Sequence, residues 1–268
     1  MRSRLTVALG RTARLAARMR GGGSGGTAFP GLVMERTDPG FLERTLSRLP
    51  RGVIVVSGTN GKTTTTKMVV QLLREQGLKV FTNRTGSNFV RGVLASLLTE
   101  VDAAGNLDAD IAVLELDEAH AVHFVARVRP RACLLLNVMR DQLDRFGEID
   151  YTASLLHSIA KATSDVVVLN GDDPRLAAPA FLEGVSARVV SFGAGEDLRS
   201  LFLSDDDLRT GMVSPRQAGQ APGPRVTLEA IDGQRATARV DGVSHEVDFA
   251  IPGVHNLLNA CAALGVVL

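Results

Sequence analysis

Residues 53–64 read Val-Ile-Val-Val-Ser-Gly-Thr-Asn-Gly-Lys-Thr-Thr. A short unbroken apolar run is the pattern of a strand buried on both faces. It leads without a break into a turn carrying Gly58 and Gly61, and then into residues that open a helix. Such a strand–turn–helix gathers backbone N–H groups at a helix start, where the aligned peptide dipoles add partial positive charge. Glycines let that backbone come close to a ligand. The expected ligand is ATP with Mg²⁺. The backbone of Gly58, Thr59, Asn60, Gly61, Lys62, Thr63 and Thr64 would cradle its phosphates, Lys62 would reach the β- and γ-phosphates, and the Thr63 hydroxyl would ligate Mg²⁺. The usual spacing places a further glycine five residues before Gly61, where this chain has Val56, so the loop is a shortened variant. The plainer alternative is a glycine-containing turn beside a surface lysine.

The rest of the chain repeats the alternation. Strands are expected at 53–56, 78–82, 111–116, 132–137, 166–170 and 188–192. Helices are expected at 39–49, 62–76, 89–99, 119–128 and 151–163. Gly77 and Arg129-Pro130 act as stops. This order predicts an α/β fold with a doubly wound, mostly parallel sheet, whose ligands bind at the carboxyl ends of the strands. After Gly193 the character changes. Segments 225–230, 236–240 and 244–249 alternate like hairpin strands, with turns at Asp232-Gly233 and Asp241-Gly242, and predict a small antiparallel β appendage. A helix begins at Val254 and still runs at Leu268. The expected division is a basic leader and lead-in (1–50), a phosphate-loop core (51–193), a small β-rich insertion (194–250) and a final core helix (251–268).

Bulk properties bound the function. The chain has 268 residues, 45% of them hydrophobic and 22% charged, enough for a substantial core. A formal net charge of +1 gives no field for nucleic acid, and none is expected as a partner. Charge is uneven, however: Arg2, Arg4, Arg11, Arg14, Arg18 and Arg20 precede the first acidic residue, Glu35. A basic amphipathic helix at 5–19, with Leu5, Ala8, Leu9, Leu15 and Met19 near one face, would rest on the inner membrane surface; a solvated leader is the alternative. No run approaches a membrane span, and a cytoplasmic chain is expected. Cys133 and Cys261 lie in apolar runs and read as buried small hydrophobes in a reducing compartment.

Several motifs stand at the strand ends in order: Gly58-Thr59-Asn60-Gly61-Lys62-Thr63-Thr64, Thr82-Asn83-Arg84-Thr85-Gly86-Ser87-Asn88, Leu114-Glu115-Leu116-Asp117-Glu118, Leu136-Asn137 through Arg145, Leu169-Asn170-Gly171-Asp172-Asp173-Pro174 and Gly253-Val254-His255-Asn256-Leu257-Leu258-Asn259. This set resembles the Mur ligases, which join amino acids in peptidoglycan synthesis, over roughly residues 53–268. The 83–88 and 140–145 forms, and the short lead-in, are similar to the MurT-like branch. The resemblance implies the P-loop central domain of a ligase that makes an acyl phosphate from ATP. Ammonia from a GatD-type glutaminase would then amidate the D-glutamate α-carboxylate of lipid II. It implies Thr63 and Glu115 on Mg²⁺, Lys62 and Glu115 in catalysis, and Asn256 and Asn259 at adenine. Arg84, Ser87, Asn88 and Asp141 are candidates for substrate or phosphate contacts.

The chain departs from the family in places. Many Mur ligases have Asp-His where Asp141-Gln142 stands, and carry a carbamylated lysine where this chain has Ser154-Leu155-Leu156-His157, which leaves a second magnesium open. MurT-like proteins often hold a four-cysteine zinc ribbon; no cysteine lies between Cys133 and Cys261, so no zinc is predicted. The C-terminal ligase domain is expected to be absent. Alternatives are a folylpolyglutamate-type ligase, which shares the core, and an ATP-binding regulatory protein without turnover. Asp172-Asp173-Pro174 reads as a turn and cap, Asp117 and Glu118 as helix-start charges, and His255 as either a nucleotide neighbour or a backbone-bonded residue.

Overall fold

The computed structural model describes residues 2–19, 28–83, 86–140, 148–213, 221–233, 235–248 and 252–268. Helices α1 (Arg2–Met19), α2 (Ala28–Thr37) and α3 (Phe41–Leu46) precede the first strand. The alternation then runs β1 (Val53–Ser57), α4 (Lys62–Glu75), β2 (Val80–Thr82), α5 (Val90–Glu100), β3 (Ile111–Glu115), α6 (Glu118–Val125), β4 (Ala132–Leu135), α7 (Glu148–Ala162), β5 (Val166–Asn170), α8 (Pro179–Leu182) and β6 (Arg188–Ala194). A 3₁₀ turn (Glu196–Leu201) and α9 (Asp205–Thr210) lead to β7 (Pro224–Asp232), β8 (Arg235–Val240), β9 (Val243–Asp248) and α10 (Val254–Val267).

The nine strands among the described residues form one sheet in the order β2-β3-β1-β4-β5-β6-β7-β8-β9. Strands β1 to β6 pair in parallel, and β8 is antiparallel to both β7 and β9, as their alternating pattern predicts. β7 joins β6 in parallel, so the hairpin strands continue the core sheet. Hairpin periodicity carries no information about which strand lies alongside the first one.

The side-chain alternation of β1 divides the core. Val53 and Val55 face one layer with α3, α5, α6 and α7, while Ile54 and Val56 face another with α4 and α10. Every residue of β1, β3 and β4 is buried, which is why these segments read as unbroken apolar runs. The chain leaves β1 toward β2 on one side and later returns to β4 on the other, so β1 sits at the switch point where open α/β sheets bind ligands.

The leader forms helix α1, but the face docked on the body is not the Leu-rich one. Thr6, Val7, Gly10 and Ala13 are buried, and Gly10 sits close to Leu98 and Met34. Small residues suit this face because α2 and α5 supply the bulk. Cys133 and Cys261 are free and buried, and burial pushes each thiol up to about 12.

Candidate functional site

The turn after β1 takes its shape from two glycines. Gly58 has φ 130° and Gly61, the N-cap of α4, has φ 83°, conformations that L side chains rarely adopt. A Cβ at Gly58 would press the amides of Leu136 and Asn137, and one at Gly61 would meet Asn259 Oδ1 at 2.8 Å. α4 starts with no side-chain cap and no acidic residue in its first turn, so its leading N–H groups have no side-chain partner among the described residues.

Three side chains converge on this start. Thr63 Oγ1 donates to Glu115 Oε1 at 2.8 Å. Glu115 ends β3 and is 8% exposed, a costly place for a carboxylate unless it is paired or bound to a metal. The Lys62 ammonium folds back to donate to the carbonyls of Gly58 and Thr59, and pairs with Glu118 at 3.6 Å. A hydroxyl and a carboxylate oxygen meeting at one point are hard donors that fit Mg²⁺, which needs only one or two protein ligands when phosphate oxygens and water supply the rest. Among the described residues, no group of three or more His, Cys, Asp or Glu could hold a metal.

A frame of side-chain amides holds the turn. The Asn137 side chain accepts from Asn60 N at 2.8 Å and donates to Asn60 O at 3.1 Å. Thr59 Oγ1 accepts from Met139 N at 3.0 Å. Asn83 accepts from Glu115 N and donates to the carbonyls of Glu115 and Ser87, fixing the end of β3. Behind Asn137, Asp173 accepts from the N–H groups of Val138, Arg175 and Leu176. Burial lifts the Asp173 carboxyl to about 6, against the pull of those three N–H groups. Asp172 accepts from Ala194 N at 2.6 Å. Asn83 and Asn137 were not singled out from sequence as functional, the signal they offered being a polar residue just after an apolar strand; Asp173, read as part of a turn and cap, bonds the N–H groups of Arg175 and Leu176 and reaches Val138 as well.

Two cavities adjoin the start of α4, one at Gly61 and Thr64 and one at Thr63 and Glu115. One, of about 460 Å³, runs past Gly61 and Thr64 and is walled by Phe192, Phe202, His255, Asn256 and Asn259. The rings of Phe202 and His255 meet edge-on at 5.7 Å, and Asn259 Nδ2 lies 3.5 Å from Asn256 Oδ1. The other, of about 450 Å³, is lined by Thr63, Lys67, Arg74, Asn83, Glu100 and Glu115. Burial raises the Glu100 carboxyl while Arg74 opposes it.

The structure therefore brings Gly58, Thr59, Asn60, Gly61, Lys62, Thr63, Thr64, Glu115, Asn256 and Asn259 to one place. Ser87 and Asn88 join the frame through their carbonyls, Asn88 O accepting from Asp117 N at 3.0 Å. Asp117 caps α6 and Glu118 stands in its first turn, as their place before a helix predicts, and Glu118 also pairs with Lys62. Arg84 and Asp141 lie outside the described residues. His157 bonds Glu183 O and packs on Phe181, away from the site.

Residues 56–267 match the Mur ligase middle domain. The chain is 37% identical over 150 residues to subunit MurT of the glutamine-hydrolysing lipid II isoglutaminyl synthase of Streptococcus pneumoniae, covering 56% of this chain and 33% of that one. It is 32% identical over 177 residues to the same subunit from Staphylococcus aureus (strain COL), covering 65% and 38%. The chain thus spans about a third of the length of these relatives. MurF of Thermotoga maritima, solved in complex with ADP, superposes with a TM-score of 0.63 at 21% identity, covering 85% of this chain and 48% of that one. MurF of Acinetobacter baumannii superposes at 0.64 and 22%, covering 88% and 45%. With its middle domain matched from the first strand to the last helix, the chain belongs to the Mur ligase family.

Proposed function

We propose that this chain is the nucleotide-binding core of an ATP-dependent ligase that turns a carboxylate into an amide. The observation that carries this reading is the meeting of Lys62, Thr63 and Glu115 at a helix start that opens on one cavity at Gly61 and Thr64 and on another at Thr63 and Glu115. The uncapped amides and Lys62 take the phosphate chain. The cavity walled by Phe202, His255, Asn256 and Asn259 takes the base. The cavity lined by Thr63 and Glu115, with Lys67 and Arg74 at its wall, takes the acceptor carboxylate. Thr63 and Glu115 would hold Mg²⁺, which when bound would neutralise phosphate charge.

A carboxylate is a poor electrophile. In this reading an acceptor oxygen attacks the γ-phosphorus, the bond from that phosphorus to the β,γ-bridging oxygen breaks, and ADP and an acyl phosphate result. Ammonia then adds to the acyl carbon, inorganic phosphate leaves with the acyl oxygen, and the amine's excess proton passes to solvent. The protein's part is positioning and charge neutralisation. Lys62, held by Glu118 and the Gly58 and Thr59 carbonyls, swings onto the phosphates. The similarity to MurT subunits supports the D-glutamate α-carboxylate of lipid II as acceptor, a GatD-type glutaminase as ammonia source, and work at the cytoplasmic side, where ATP is supplied.

The test has two stages. Lys62→Ala should weaken ATP binding roughly 10- to 100-fold in titration calorimetry, as expected for losing charge-assisted bonds; unchanged affinity sinks the site. Glutamine-dependent ATP hydrolysis is then measured with lipid II, with and without a GatD-type partner. Turnover only with both fits the amidating reading. Turnover with free glutamate and a folate replaces it with the folylpolyglutamate-type reaction, and nucleotide binding without any turnover leaves a binding protein.

A further inference from the structure

Helix α1 presents to solvent the side of itself that a soluble surface ordinarily hides. Leu5 is 63% exposed, Leu15 60% and Met19 80%, with Leu9 at 39%. At the helical period these fall together, on the side opposite Thr6, Gly10 and Ala13, which dock on the body. Exposed Arg4 runs along one edge of this apolar face, and Arg11, which donates to Val101 O at 2.9 Å, lies seven residues on along the same edge. The first 34 residues contain six arginines and no acidic residue.

We infer that this face of α1 lies on an anionic phospholipid surface, with the helix in the plane of the interface. An apolar stripe bordered by arginines is the pattern of an interfacial helix: leucines enter the acyl boundary while guanidinium groups meet lipid phosphates. The other classes of occupant fit less well. A second copy would bring two arginine-rich faces together, and nucleic acid offers nothing to the leucines. Burial of the opposite side against α2 and α5 fixes the helix to the body, so membrane contact would orient the whole molecule. α1 and α5 share one core layer, Val7 clustering with Val93, Leu94, Leu97 and Leu98. No helix among the described residues is long and apolar enough to cross a membrane.

The inference does not rest on the ligase reading, because lipid binding is measured without nucleotide or acceptor. The chain has no tryptophan, so Leu9→Trp gives a single reporter. With the full chain, vesicles of phosphatidylglycerol and phosphatidylcholine should shift its emission to the blue and sediment the protein, and pure phosphatidylcholine vesicles should do neither. The double variant L9E/L15E should bind at least tenfold less, and R4E/R11E should lose most of the salt dependence, both with ATP affinity unchanged as the check on folding. Absence of binding to anionic vesicles, equal binding to neutral ones, equal binding by L9E/L15E, or a tryptophan that stays in water while the protein sediments would each overturn it. So would a concentration-dependent dimer that L9E/L15E abolishes while vesicle binding is absent, since the face would then belong to a second copy.

Discussion

Helices α4 and α6 begin side by side, at the ends of the neighbouring strands β1 and β3, and satisfy their first turns in opposite ways. α6 carries its own cap: Asp117 accepts from Ala119 N, and Glu118 stands in its first turn. α4 is opened by Gly61, has no side-chain cap and no acid in its first turn, and has a lysine and a row of threonines in their place. The same electrostatic demand, positive charge at a helix start, is met from within the chain in one helix and left for an anion in the other. Glu118 joins the two, since the carboxylate that suits α6 also holds Lys62 of α4 at 3.6 Å. A completed helix start confers stability, and an open one confers affinity.

The largest effect should come from closing the open start. Gly61→Val forces a β-branched residue to φ 83° and drives a Cβ to within 2.8 Å of Asn259 Oδ1. Left-handed backbone alone costs a side chain about 1–2 kcal/mol. ATP binding should fall more than roughly 100-fold once the amide cradle is distorted as well. Retained affinity in calorimetry would mean that these amides do not face the phosphates. Next is Glu115→Gln, which keeps the shape and an acceptor for Thr63 but removes the charge. The Mg²⁺-dependent part of ATP binding should drop roughly 10–100-fold, with Mg²⁺-free binding nearly unchanged. Equal loss with and without Mg²⁺ would show Glu115 to be a structural partner of Thr63 alone.

A smaller effect isolates the link between the two helices. Glu118→Gln removes a carboxylate that competes with phosphate for Lys62. ATP affinity should rise about two- to fivefold, the modest scale of a single ion pair with N···O at 3.6 Å. A fall in affinity would mean that Glu118 aims Lys62 rather than competing for it.

What could be read in the sequence follows how local the cause is. β1, β3 and β4 were legible because strands buried on both faces leave no polar interruption, and the Gly58–Thr64 turn because positive φ and phosphate chemistry each restrict residue type. Asn137, Asn83 and Asp173 were not, since they act on backbone groups 77, 32 and 35 residues away. A lone asparagine at a strand end looks the same whether it meets water or fastens a distant turn. Helix α1 shows the converse. Its pattern marked the apolar face correctly, but docking was decided by the bulk of Met34 and Leu98 on the neighbouring helices, which favoured the small side with Gly10 and Ala13. The parallel pairing of β7 with β6 was likewise invisible, because alternation in one strand says nothing of its neighbour.

The smallest expected effect on binding is also the strictest test of the contrast between the two helix starts. Asp117→Ala removes the side-chain cap of α6 but leaves the backbone bond from Asp117 N to Asn88 O. Loss of such a cap typically costs about 1 kcal/mol, which for a chain of this size lowers Tm by roughly 2–4 °C. If the two starts have separate duties, ATP affinity should stay within about twofold of the parent while the melting curve moves. The proximity of Glu118 makes the outcome informative. Should α6 fray enough to shift Glu118, Lys62 loses its partner at 3.6 Å and affinity changes together with Tm. Parallel loss would show that α4 and α6 open and close as one unit, and that the capped helix is part of the binding site rather than a support beside it.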